Sequence, residues 1–106
     1  MIDEQEFRRA AENALDSLKR HLMTREEEDD AGFEVEEQNG VLTVVFEEPP
    51  GKFVITPNTP VRQIWISALS TSFKLEYDPA LGFVLPRTSE KLIPLVDRLI
   101  QERQEG

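Results

Sequence analysis

The sequence predicts an α+β fold, a two-layer α/β sandwich with two terminal helices packed on one face of a five- to six-stranded antiparallel sheet. Three observations predict it. Apolar residues recur at the 3–4 spacing of a helix only near the two ends of the chain. Between them lie short runs with the alternation of half-buried strands. The connections between those runs are mostly too short for anything but antiparallel pairing, and two helices with one apolar stripe each can cover one sheet face.

The first helix is expected from about Asp3 to Met23. Phe7, Ala11, Ala14, Leu15, Leu18 and Leu22 form its stripe. Asp3 is the candidate N-cap, with Glu6 at the capping-box position. Arg25 to Asp30 is a charge run expected to leave the helix. Phe33-Glu34-Val35-Glu36 then alternates as a strand. Asn39-Gly40 marks a hairpin into the strand Leu42–Phe46. Pro49-Pro50-Gly51-Lys52 is a turn before Phe53-Val54-Ile55. Pro57-Asn58 turns into a strand centred on Trp65. Two weaker strands follow, Phe73–Tyr77 and Phe83–Leu85. The last helix is expected from about Ser89 to Arg103, capped by Thr88 or Ser89. Its apolar face is Leu92, Ile93, Val96, Leu99 and Ile100. Pro94 conflicts with that start, because proline beyond the first turn removes a hydrogen bond and clashes with the preceding turn. A distorted or later start is therefore expected.

Length, composition and charge bound the function. A chain of 106 residues with 39% hydrophobic content makes one domain, residues 1–106, with a modest core. There is no cysteine, hence no disulfide, thiolate metal site or cysteine nucleophile. The N-terminus lacks a signal-peptide pattern, and no apolar run approaches the roughly 20 residues of a membrane span. A cytoplasmic protein is expected. Residues 1–48 carry 15 acidic and 5 basic side chains, net −10, and residues 49–106 carry 6 and 7, net +1, which gives the overall −9. The acidic half repels nucleic acid and anionic lipid and attracts cations or a basic protein surface. No Lys/Arg stripe is present, so a nucleic-acid partner is not expected.

The segment Thr59–Ser67 carries the clearest sign of a contact surface. Ile64 and Ile66 point to one side, and Gln63, Trp65 and Ser67 to the other. An indole between two polar residues on one strand face suits recognition better than core packing. Trp65 is therefore expected to be substantially exposed on the helix-free face, with Gln63 beside it.

These residues also carry a resemblance. Leu15-Asp16-Ser17-Leu18, Asn39-Gly40-Val41-Leu42-Thr43-Val44, Phe53-Val54-Ile55, Thr59-Pro60 and Gln63-Ile64-Trp65-Ile66-Ser67 occur in order across nearly the whole chain. The chain resembles the frataxin family, specifically its short bacterial members. The resemblance implies the fold derived above. It further implies iron binding on acidic side chains of the first helix and first strand, and a part in iron–sulfur cluster assembly through a cysteine desulfurase and its scaffold protein. Glu12 and Asp16 fall on the family's acidic ridge, and Glu34 on its first-strand acidic position. The chain departs from the pattern where Lys19, Arg20, Met23 and Thr24 replace carboxylates, and the acidic residues shift into Glu26, Glu27, Glu28, Asp29 and Asp30. It departs again at Thr56-Pro57, at Phe83 in place of a second tryptophan, and at Ser70-Thr71-Ser72 in place of a glycine-rich segment.

The metal candidates are thus Glu12, Asp16, Glu26, Glu27, Glu28, Asp29, Asp30 and Glu34. Carboxylate oxygens suit hard cations, including Fe(II), Fe(III), Mn(II) and Ca(II). On an open helix edge such sites are expected to be shallow, hydrated, weak and several. By composition alone the Glu26–Asp30 run also reads as solvated charge. Gln63, Trp65 and Ser67, with Glu12 and Asp16, are the candidate partner contacts. His21 reads as a surface or half-buried histidine, and Glu36, Glu37, Glu47 and Glu48 as solubilising charges. No nucleophile–base order, phosphate loop or HExxH supports catalysis. Three functions stay open: an iron-binding regulator of cluster assembly, a ferroxidase or iron-storage enzyme, and an acidic interaction domain with incidental metal binding. A monomer is expected, with iron-dependent oligomerisation as an option. Longer family members run a C-terminal tail between the helices. The chain's end at Gly106 therefore leads us to expect Phe7, Leu18, Leu22, Leu99 and Ile100 to be partly open, and the domain to be marginal.

Overall fold

Asp3 begins the first helix as expected. Its side chain accepts a hydrogen bond from the Glu6 amide at 2.8 Å. That bond holds the Asp3 carboxyl below the usual aspartate value, and the Glu6 carboxyl beside it is raised by its hydrogen bond to Asp3. The computed structural model describes residues 2–28 and 31–105. Helix α1 (Glu4–Glu26) leads into strands β1 (Phe33–Gln38), β2 (Val41–Phe46), β3 (Gly51–Asn58), β4 (Gln63–Ala68), β5 (Thr71–Asp78), β6 (Gly82–Leu85) and β7 (Glu90–Lys91), and then into helix α2 (Leu92–Glu105). The strands lie in chain order in one sheet, each antiparallel to the next.

Four boundaries differ from expectation. Strand β3 runs on to Asn58, so Pro57-Asn58, expected as a turn, still pairs with Ile64 and Gln63, and the chain reverses instead through a 3-10 turn at Thr59–Val61. Helix α1 does not stop at Met23. It continues through Arg25 and Glu26, because both side chains find partners on other elements, described below. The sheet has seven strands rather than five or six. The additional strand, Glu90–Lys91, pairs with Leu85 and Val84 where the start of the last helix was expected. Helix α2 begins only at Leu92, which places Pro94 in its first turn, where proline is tolerated. Thr88 and Ser89 therefore do not cap that helix. Ser89 adopts φ 62°, and the Thr88 hydroxyl accepts from the Glu90 amide at 3.2 Å, capping the preceding turn. A two-pronged Arg98–Glu90 pair, at 2.7 and 2.9 Å, ties β7 to α2 and holds the Glu90 carboxyl below its usual value.

Two hairpins close with two-residue turns. Asn39 and Gly40 have φ 53° and 82°, as the Asn-Gly signal predicts. Leu69 and Ser70 also lie in the left-handed region, at φ 53° and 60°, between the paired Ala68 and Thr71. Neither residue favours that conformation, so the turn was invisible to sequence rules.

The core lies between the helices and one sheet face. Phe53, Ile55, Ile64, Ile66 and Leu75 from the sheet meet Phe7, Leu18 and Leu22 of α1 and Leu95, Val96 and Leu99 of α2. The expected opening at the helix ends is absent. Phe7, Leu18, Leu22, Leu99 and Ile100 are at most 1% exposed. Phe7 packs edge-on against Phe83, and Phe83 against Tyr77, so aromatic rings close one end of the seam. Polar contacts cross it farther along. His21 Nε2 lies 2.9 and 3.0 Å from the two Asp97 carboxylate oxygens, and Arg25 donates to Asp97 at 2.7 Å. His21 is thus an interhelical link rather than a bystander. Among the described residues, no helix is long and apolar enough to cross a membrane.

Candidate functional site

The candidate ligands fall into two groups. Glu12 and Asp16 are four residues apart on one exposed flank of α1. They line an open groove of about 710 Å³ between that flank and the tip of the β1–β2 hairpin, whose floor includes Phe7, Ala11, Leu15 and Leu42. Glu37 and Asn39 form the facing wall. Asp16 Oδ2 lies 3.1 Å from Arg20, and Lys19 Nζ reaches across to Glu37 at 3.5 Å. The two cations that interrupt the acidic pattern in sequence are therefore counter-ions for ridge and hairpin carboxylates. Both pairs are substantially exposed, so each is worth little.

The second group sits at the other end of the helix. Glu12 and Glu26 are separated by roughly 21 Å along the axis, from the helical rise of about 1.5 Å per residue. Glu26, Glu28 and Glu34 line a cleft of about 330 Å³ together with Glu47 from the β2–β3 turn. Glu26 Oε1 accepts the backbone N–H of Val35 at 2.5 Å. Glu27 forms the C-cap of α1 and is exposed. Asp29 and Asp30 lie outside the described residues. Among the described residues, no three Asp, Glu or His groups converge in a way that could hold an ion. The arrangement offers open carboxylates on two clefts, where water must complete the shell of any bound cation.

The recognition candidates are on the other side of the molecule. Ile64 and Ile66 are buried under the helices, so alternation puts Gln63, Trp65 and Ser67 on the helix-free face. Register places Trp65 between Thr56 and Lys74, and Ser67 between Val54 and Ser72. Trp65 is half-buried rather than substantially exposed. The Lys74 ammonium sits 4.8 Å above its ring, and the indole N–H donates to Gln63 Oε1 at 2.7 Å. The neighbours cover the ring without moving it off the open face.

Sequence reasoning missed four participants. Lys74 joins Trp65 through a register set by the Leu69–Ser70 turn, which carries no turn signal. Glu37 and Glu47, which read in sequence as solubilising charges, each line one of the clefts. Asp97 gave no signal at all, since its partners on α1 are 72 and 76 residues away.

Comparison with known proteins decides the family. The Frataxin-like domain family matches residues 1–106. The chain belongs to the frataxin family. The chain is 30% identical over 90 residues to the iron–sulfur cluster assembly protein CyaY of Pseudomonas entomophila, covering 84% of this chain and 81% of that one. It is 32% identical over 78 residues to the protein of the same name from Pseudomonas putida, covering 71% and 70%. A frataxin structure from Psychromonas ingrahamii, of the CyaY protein family, superimposes with a TM-score of 0.74 at 19% identity, covering 99% of this chain and 94% of that one. At that identity the likeness speaks for the fold, and it agrees with the two helices on an antiparallel sheet found in this frataxin-family chain.

Proposed function

We propose that this protein serves iron–sulfur cluster assembly as an iron-binding regulator rather than as an enzyme. The observation that carries the reading is whole-chain membership in a family whose curated relatives of similar length are named iron–sulfur cluster assembly proteins. In this reading the α1 flank and the acidic cleft near its end take iron weakly, through Glu12, Asp16, Glu26, Glu27, Glu28 and Glu34, with Asp29 and Asp30 as further candidates. The same acidic side meets a basic surface of the cysteine desulfurase, and the Trp65 face meets the scaffold protein. Two supports come from geometry. The carboxylates lie open to a partner, and an indole topped by a cation on an open sheet face makes a compact anchor.

The test is cluster reconstitution on a scaffold with a cysteine desulfurase, with and without this protein, alongside a pull-down at varied iron. A changed rate of cluster formation with an iron-sensitive complex supports the reading. No complex and no rate change would refute it.

A second reading keeps the interaction and makes metal binding incidental. It is favoured by the internal counter-ions, Arg20 on Asp16 and Lys19 on Glu37. A complex that forms equally with and without iron would select it.

A further inference from the structure

Among the described residues the sheet ends at β1, and no strand pairs with its outer edge. The opposite end is β7, only two residues long and followed directly by α2. The Val35 N–H points outward, away from β2, because it donates to Glu26 rather than to the ladder. In an antiparallel pair, outward and inward backbone groups alternate. Phe33, Val35 and Glu37 therefore direct their backbone groups to the open edge. Such an edge is a template for another extended chain unless it is guarded.

Two features act on this edge. Helix α1 overruns its expected end and delivers the Glu26 carboxylate onto the central outward N–H. The strand itself carries Glu34, Glu36 and Glu37, all exposed. These charges oppose pairing with a second copy of the same strand, since cross-strand like charges destabilise. They favour an incoming strand with basic side chains at alternate positions.

We infer that β1 is a docking edge for an extended basic segment of a partner protein, which adds as an eighth strand, and that Glu26 is its intramolecular guard. The segment supplies a backbone carbonyl to the Val35 N–H in place of the Glu26 carboxylate. Its alternate basic side chains all lie on one face of the added strand, beside Glu34 and Glu36 on the helix-free side of the sheet. Main-chain bonds give the affinity and the alternating charges the selectivity. This rests on the reading that the acidic side meets a basic protein surface and deepens it by naming strand addition at β1 as the mode of contact, which requires no metal.

The test uses the intact protein and a short synthetic peptide alternating arginine and valine. Amide NMR follows Phe33, Val35 and Glu37 during titration. The peptide should bind and shift and protect these amides. A peptide of the same sequence, N-methylated at alternate backbone nitrogens, keeps its charge and loses its edge donors. It should bind about tenfold more weakly, as expected for one or two lost net hydrogen bonds. Glu26→Ala should bind the parent peptide several-fold more tightly than Glu27→Ala, which removes the same charge from a neighbouring position. Equal binding of the methylated peptide would reduce the effect to charge attraction and overturn the inference. So would shifts centred on Glu12 and Asp16, or a Glu26→Ala variant no tighter than Glu27→Ala. The peptide comparison needs no variant, so it decides the matter even if Glu26→Ala folds poorly.

Discussion

The acidic flank of α1 and the open face of the sheet are both candidate contact surfaces, yet they are built differently. On the sheet face, strand alternation sorts side chains with no help from elsewhere. Once Ile64 and Ile66 are buried, Trp65 has one place to go. On the helix flank, the backbone sets only direction. What each carboxylate can do depends on which cation the fold brings to it. Asp16 meets Arg20 from its own helix, Glu37 meets Lys19 from another element, and Glu26 meets a backbone amide. A half-buried aromatic held by Lys74 and Gln63 and a set of half-neutralised carboxylates teach different lessons. The first is preorganised for one kind of contact, and the second is adjustable by any competing cation.

The sharpest break between the two surfaces is made beneath them. Leu18→Ala removes a fully buried side chain from the underside of α1 while leaving its charges intact. A loss of about 3 kcal/mol in urea unfolding is expected. Trp65→Ala should cost less, about 1–2 kcal/mol, because the ring is half-buried and its main partner is a surface lysine. It should nevertheless weaken scaffold binding by roughly 2 kcal/mol, as an interface anchor does. Equal stability losses for the two variants would show that the Trp65 face is core in all but position.

Reversing the internal counter-ions sharpens the comparison from the other side. Lys19→Glu combined with Arg20→Glu should tighten binding of a diamagnetic trivalent cation by roughly tenfold, about 1.4 kcal/mol. NMR shifts should centre on Glu12 and Asp16. Shifts centred on residues 84–105 would refute the assignment. Raising ionic strength should weaken the same binding, since these groups are solvent-exposed.

Replacing Leu69-Ser70 by Asn-Gly relieves two left-handed residues at the end of the Trp65 strand. Thermal unfolding should show a gain of about 1 kcal/mol, with the Trp65–Lys74 register unchanged. The smallest effect concerns pH. Arg98 holds the Glu90 carboxyl below its usual value of 4.5. A depressed folded-state value means this contribution is fully present above about pH 4.5 and is lost as the pH falls through the folded value. Arg98 is nearly half exposed, so the contribution stays under about 1 kcal/mol. Arg98→Gln should flatten that part of the acid-unfolding curve and leave stability at neutral pH only slightly lowered. An unchanged acid limb would show that the pair is solvated.

Much of this protein was legible in order of contact distance. The Asp3 cap, the α1 stripe, the Asn39-Gly40 turn and the parity of β4 depend on neighbours within a few residues. Local rules therefore found them. Pro94 also told correctly against an early α2. The misses share a cause. Leu69-Ser70 adopts a turn its residues disfavour, because Ala68 and Thr71 are already aligned by their strands. The two clefts recruit Glu37 and Glu47 from hairpins whose approach to α1 is not written in either segment.

The sequence by itself determined the two layers, the buried side of each element and the concentration of negative charge in the first half. Periodicity and composition are sums over near neighbours, and they survive without knowledge of the fold. Only the tertiary structure decided that the acidic residues divide between two clefts, with Glu12 and Glu26 roughly 21 Å apart along α1, that Lys74 covers Trp65, and that His21 and Arg25 meet Asp97. It alone placed Glu26 on the edge of β1. Each of these is a meeting of charged or polar side chains from separate elements. Such meetings are set by the angle and register at which elements pack, and burial of the apolar core chooses that geometry without reference to the charges it brings together.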